Sequence, residues 1–171
     1  MKISTKKGDL GQTDLIGKRV SKSDILIQIV GELDELAARM ADLNQSGISE
    51  SLTADLKKID SVLFKIASIV IDIDNKLHLE VREADIHFLE DRINHMEQLL
   101  PELKNFITYD GVIPSIKANL VKTQVRKVER LLVSTKVNPL LVKYINRLSD
   151  YFFILGRYLN FEANFKETIR S

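Results

Sequence analysis

The chain has no cysteine. Disulfides, thiolate metal sites and a cysteine nucleophile are therefore excluded, and a reducing cytosol suits the protein. No apolar run approaches the roughly 20 residues that a bilayer-spanning helix needs, and the N-terminus lacks the apolar core of a signal peptide. An excess of one charge is missing too. The 25 Lys and Arg nearly balance 24 Asp and Glu, for a formal net charge of +1, so no long-range field draws nucleic acid or acidic lipid and any basic function must be local. No stretch rich in Pro, Gly or Ser divides the 171 residues, which predicts one domain over 1–171. Alternating strand patterns, internal repeats, a P-loop and a Gly-x-Ser-x-Gly elbow are also absent from the sequence. These exclusions predict a cytoplasmic protein with neither a membrane nor a nucleic-acid partner.

What is present is helical periodicity. Ile25, Ile29, Leu33, Leu36, Met40 and Leu43 predict a first helix from about Ser23 to Asn44, which "NQSGIS" ends. A second stripe, from Leu52 through Leu56, Ile59, Leu63 and Ile66 to Val70, predicts a helix ending near Asp74. A third runs from Ile86 to Leu100 and stops at Pro101. After the loop "NFITYDGVIP", a fourth helix is expected to start near Ser115 as N-cap and to carry the apolar stripe Ile116, Leu120, Val121, Val125, Val128 and Leu132. Asn138 as cap and Pro139 in the first turn open a fifth, carrying Leu141, Tyr144, Leu148, Phe152 and Leu155. The expected architecture is all-α, an antiparallel five-helix bundle preceded by an irregular N-terminal loop.

Polar residues interrupt these stripes at three places. In "KTQVRKVER", Lys122, Arg126 and Arg130 recur every four residues and share a helix side; like charges so spaced repel unless an anion or carboxylate faces them. A solvated face would read the same way. In "NRLSD", Asn146, Arg147 and Asp150 form one polar patch away from the apolar stripe. Asp34, in "GELDEL", lies among apolar positions and, if partly buried, needs a cation such as an arginine of the fourth helix. His87, Asp91 and His95 share a face and would admit a metal, but no Glu-x-x-His pair of a di-iron bundle accompanies them. The metal preference is therefore open.

The N-terminal stretch "ISTKKGDLGQTDLIGKRVSK" combines glycines with lysines. Gly8 and Gly11 let backbone N–H groups converge while Lys6, Lys7 and Lys22 supply charge, which is the chemistry of a phosphate cradle. A frayed terminus is the plainer reading.

Taken in order, "TKKGDLGQT", "KRVSK", "GELDEL", "LPELKNFI", "VRKVER" and "NRLSDYFFILGRYLN" resemble the PduO-type ATP:cob(I)alamin adenosyltransferases, or corrinoid adenosyltransferases, over essentially the whole chain. The resemblance implies a five-helix bundle assembling as a homotrimer, with each active site shared between neighbouring subunits. It implies ATP with Mg²⁺, and a corrinoid, cob(I)alamin, as the second substrate. A corrinoid reductase and an adenosylcobalamin-dependent enzyme are the partners it suggests. Carried over by position, Thr5, Lys6, Lys7, Gly8, Thr13, Asp14 and Lys22 would hold the nucleotide from one subunit, and Arg126, Lys127, Glu129, Arg130 and Asn146 would meet it from the other. Asp34 would pair with Arg126 across the interface, which with Arg130 makes these the catalytic group. Phe106 matches the aromatic beside the corrin ring.

The sequence departs from that family's pattern in places. Lys122 and Lys127 stand where arginine is usual, Thr108, Tyr109, Asp110 and Gly111 replace a Pro-Gly-Gly, and Asn119 replaces a histidine. Lysine keeps the charge but loses the planar bidentate contact. The substituted arginines favour the alternative reading, a non-catalytic nucleotide- or corrinoid-binding relative that senses or delivers. A helical interaction protein with solvated polar faces is a third.

Overall fold

The computed structural model describes Lys6 and residues 8–170. Five helices carry the fold: α1 (Ile25–Asn44), α2 (Glu50–Ile71), α3 (Glu83–Glu97), α4 (Ile113–Val133) and α5 (Pro139–Glu162). Side-chain caps set several starts. Asp24 accepts from the Leu26 amide at 2.9 Å, Ser49 from Leu52 at 3.3 Å and Asn138 from Leu140 at 2.9 Å, each satisfying a donor that the first helical turn leaves free.

The start of α4 differs from the sequence expectation. Val112, in extended conformation, is the N-cap, and Pro114 falls in the first turn, where its fixed φ and missing N–H fit. Ser115 is therefore inside the helix and fully buried, its hydroxyl without a partner. Helices α2 and α3 also end earlier than expected, at Ile71 and Glu97.

The second difference is at the N-terminus. Instead of an irregular loop, Gln12–Leu15 (β1) and Lys18–Ser21 (β2) form an antiparallel hairpin pairing Thr13 with Val20 and Asp14 with Arg19. Gly17 turns it at a φ of 84°, a conformation that costs glycine little.

Helix α4 lies between α1 and α5; α2 flanks α1 and α3 flanks α5. Ion pairs Arg92–Asp55 (2.6 Å) and Lys65–Asp85 (3.4 Å), with Lys58 over the Phe88 ring, close α3 onto α2. Inside this ring Ile29, Leu36, Ile59, Ile66, Leu89, Val125, Leu148 and Phe152 are all fully buried. The predicted stripes of all five helices thus meet in one core, except that Ile25 of the first stripe and Ile116 and Leu120 of the fourth are exposed. No helix among the described residues is long and apolar enough to cross a membrane.

Candidate active site

Helical geometry separates the three cations that the sequence lines up on α4. Each step of four residues turns about 40° around the axis, so the row tilts across the helix surface. Lys122 falls on the edge of the core and is buried, whereas Arg126 and Arg130 are exposed. The Lys122 ammonium lies 3.9 Å from the centre of the Tyr109 ring and 5.2 Å from that of Phe153, with the Asn119 amide oxygen at 3.4 Å. Among the described residues it has no carboxylate partner. Two aromatic faces replace one.

Tyr109, Lys122, Arg126, Ser149, Asp150 and Phe153 line a cavity of about 370 Å³. Lys122, beside the Tyr109 phenol, holds it below its ordinary pKa, and the charges of Arg126 and Arg170 act in the same direction. Asp150 is engaged elsewhere, accepting from Arg147 at 2.7 Å, and Arg147 also donates to Glu90 at 3.1 Å. The Glu90 carboxyl, contacted by His87 at 3.1 Å and by Arg147, is held below the usual range. His87 is thus turned toward Glu90. No group of three or more His, Asp or Glu side chains among the described residues is placed to hold a metal ion. A second cavity of about 690 Å³, bounded by Leu103, Arg147 and Arg157 among others, shares the Asp150 and Phe153 wall.

The patch expected from Asn146, Arg147 and Asp150 divides in two. Asn146 faces α4 and donates to Glu129 at 2.9 Å, while Arg147 and Asp150 face α3 and the cavities. Asp34 is exposed, not partly buried, and among the described residues makes no hydrogen bond or ion pair. Two carboxylates of α1 face α4: Glu32, which meets Lys127 at 2.8 Å and accepts from Gln124 at 2.7 Å, and Asp42, which meets Lys117 at 2.7 Å. The register explains it, since Glu32 precedes the buried Leu33 on the α4 side while Asp34 follows it outward.

At the N-terminus, Gly8 and Lys22 come together: a Cβ built on Gly8 would sit 2.9 Å from the Lys22 ammonium. The Lys22 amide donates to the Gly11 carbonyl at 2.8 Å, and the Gly11 amide to that of Gly8 at 3.1 Å. Lys6 is exposed with a φ of 58°, Thr13 is half-buried, and Asp14 pairs with Arg19 at 3.2 Å. Thr5 and Lys7 lie outside the described residues. Among the described residues, Gly8, Thr13, Asp14 and Lys22 make no hydrogen bond or ion pair to α4. The expected site residues thus form two groups with no polar contact between them among the described residues: the hairpin with its lysine, and α4 with Arg126, Lys127, Glu129 and Arg130. Phe106, 87% exposed, belongs to the loop that brings Tyr109 over the α4 cavity.

The model of the cobalamin adenosyltransferase family matches residues 3–159. The chain belongs to that family. It is 34% identical to the corrinoid adenosyltransferase of Bacillus subtilis over 168 residues, covering 94% of this chain and 87% of that one. It is 32% identical to the cobalamin adenosyltransferase of Cupriavidus metallidurans, covering 93% and 88%. Among solved structures it is similar to a phenylalanine-to-alanine variant of the PduO-type ATP:corrinoid adenosyltransferase from Lactobacillus reuteri, complexed with cobalamin and ATP; the TM-score is 0.93 at 28% identity, with 99% of both chains covered.

In this family member the cavity contributions of Tyr109 and Phe153, and the inward turn of Lys122, were not predicted from the sequence. The drift of the four-residue row carried the Lys122 signal. Tyr109 gave none, because only the folded loop brings it to α4.

Proposed function

We propose that this chain is an ATP:corrinoid adenosyltransferase, which moves the 5′-deoxyadenosyl group of ATP to cob(I)alamin and releases inorganic triphosphate. Cobalt(I) supplies the electron pair of the new bond to the ribose C5′. The pair of the breaking C5′–O bond leaves with the triphosphate. The substrate brings its own nucleophile, so the protein's tasks are to align C5′ with cobalt, exclude water and stabilise the departing anion.

The observation that carries this reading is the α4 cavity, where a buried ammonium, Lys122, and the guanidinium of Arg126 open on one space beside the Phe106 loop, with no carboxylate paired to either among the described residues. Such cations suit a triphosphate. Lys6, Lys7, Gly8, Thr13, Asp14 and Lys22, with Thr5, would hold ATP from one subunit. Arg126, Lys127, Glu129, Arg130 and Asn146 would meet it from the next, and Phe106 would face the corrinoid. With no protein cage of acidic side chains among the described residues, Mg²⁺ is assigned to the phosphates themselves, a mode usual for this ion.

The assembly that unites the two groups is a homotrimer. Its support is what the described residues leave open: Asp34, Arg126 and Arg130 exposed without partners among them, and Ile113, Ile116 and Leu120 as an exposed apolar stripe on α4. In it Asp34 of one subunit pairs with Arg126 of the next. The protein works in the cytoplasm, with electrons from a corrinoid reductase and its product used by an adenosylcobalamin-dependent enzyme.

Comparison of variants tests the site. Arg126→Ala leaves Asp34 unpaired and removes a phosphate donor, and a loss of about 3–5 kcal/mol for a pair buried in the interface corresponds to roughly a hundredfold to a few thousandfold in turnover. Arg126→Lys is milder because charge remains while the fork is lost, and Lys136→Ala, beyond the row, changes little. An Arg126→Ala protein that assembles and turns over like the parent would make the row a solvated face.

A further inference from the structure

The loop that carries Phe106 has little to hold it. Among the described residues, the backbone of residues 102–109 makes hydrogen bonds only to the C-terminal tail. The Thr108 amide donates to the Thr168 carbonyl at 2.9 Å, the Arg170 amide donates to the Phe106 carbonyl at 2.8 Å, and Ile107 faces Ile169 in an isolated antiparallel bridge. The Thr168 carbonyl also accepts from the Thr108 hydroxyl at 3.0 Å. The position of Phe106 therefore depends on what holds the tail.

What holds the tail is an ion pair rooted in the bundle. Arg157, on α5, is 6% exposed, and its guanidinium grips Glu167 in two parallel bonds, Nε to Oε1 at 2.8 Å and Nη2 to Oε2 at 3.0 Å. Nη2 also donates to the Pro101 carbonyl at 2.9 Å. One buried side chain thus fixes the tail on one side and Pro101, in the α3–α4 connection, on the other. Between α5 and the tail the chain reverses at Asn164, with a φ of 55° and the Phe165 amide on the Asn160 carbonyl at 2.8 Å. A bidentate pair anchored by a buried guanidinium holds one geometry better than a fully exposed pair does.

We propose that Arg157 and Glu167 are positioning residues for the corrinoid side of the reaction: the pair of buried Arg157 with half-buried Glu167 clamps the C-terminal tail, and the tail, by strand pairing with residues 106–108, sets where Phe106 stands. The inference rests on the proposed reading of Phe106, but the clamp itself is tested without any corrinoid.

Glu167→Ala releases the tail at the molecule's edge, and Glu167→Asp retains the charge. Amide hydrogen exchange of the full-length, ligand-free protein is followed residue by residue. The clamp predicts exchange faster by on the order of tenfold or more at Thr108 and Arg170 in Glu167→Ala, with α1 and α2 unchanged and partial rescue in Glu167→Asp. Arg170→Pro, which deletes the amide that bonds Phe106 and leaves the ion pair intact, should loosen Thr108 but not the Phe165 amide. With both substrates, Glu167→Ala should raise KM for the corrinoid severalfold and leave KM for ATP unaltered. Unchanged exchange at Thr108 in Glu167→Ala would overturn the clamp, as would an equal rise in both KM values. Loosened exchange with an unaltered corrinoid KM would overturn the link from clamp to substrate, and Phe106→Ala then shows which part failed. If Phe106→Ala binds corrinoid normally, the Phe106 reading is wrong; if it does not, the clamp's role in placing it is.

Discussion

Lys122 is the residue whose placement departs furthest from its apparent place in the sequence. An i, i+4, i+8 row of cations looks like one surface feature, yet the drift of the row puts its first member among Tyr109 and Phe153 and leaves the other two in solvent. The consequence can be measured. Lys122→Met keeps the stem's packing while removing a buried charge and its contacts with two rings, opposing effects that should leave urea-unfolding free energy within about 1 kcal/mol of the parent. Turnover should fall by about tenfold or more if the charge faces the leaving triphosphate; unaltered turnover would take Lys122 out of the site. The four tyrosines supply a second test. Lys122 and neighbouring cations lower the Tyr109 pKa, whereas burial raises those of Tyr144 and Tyr151 and the Glu162 hydrogen bond raises that of Tyr158. Tyr109 should therefore be the first phenol to ionise in an alkaline absorbance titration, and that first step should vanish in Tyr109→Phe and move upward in Lys122→Met.

Polar contacts between elements have consequences of their own. Glu32 ties α1 to α4, and its carboxyl is held below the usual value chiefly by the Lys127 hydrogen bond, with Gln124 and the Lys127 charge assisting against desolvation. Because the folded state binds this proton less readily than the unfolded chain, the contribution to stability is complete above the unfolded pKa and is lost as pH falls through the folded one. Lys127→Gln should thus be less stable than the parent near neutrality, and the gap should narrow as pH drops from about 5 to below 4; urea midpoints across that range report it, and a constant gap would contradict it. At the loop entering α4, Asn160 accepts from the Val112 amide at 3.1 Å and donates to the Asp110 carbonyl at 3.0 Å, and Gly111 between them has a φ of 110° with no room for a Cβ against Asn160. Gly111→Ala should cost about 2 kcal/mol or more of unfolding free energy. The helices themselves were legible because Leu36, Ile59, Leu89, Val125 and Leu148 repeat at helical spacing and converge on one core. The hairpin was not, because its strands have four residues each and only Leu15 is buried, which leaves no alternation to read. The α4 start was misplaced at Ser115 because a capping residue was weighed above the proline before it.

For the whole molecule, the expected site residues fall into two groups that one chain does not join, and this is where sequence and single-chain geometry diverge most. The pairing of Asp34 with Arg126 rests on resemblance; among the described residues Asp34 points outward, and the α1 carboxylates that meet α4 are Glu32 and Asp42. Sedimentation at micromolar concentration should give a trimer, and a stable monomer would remove the shared site. ATP should protect the segment from Lys6 to Lys22 against proteolysis, because the phosphates would bind the Gly8–Lys22 cradle; an unchanged cleavage rate at saturating ATP would detach the hairpin from the nucleotide. The central claim is the chemistry. Under anaerobic conditions, with ATP, Mg²⁺ and chemically reduced cob(I)alamin, the visible spectrum should change to that of the cobalt–carbon product, with one triphosphate released per corrinoid consumed. Nucleotide binding without that spectral change and without triphosphate would contradict the account and leave a binding protein on an adenosyltransferase fold.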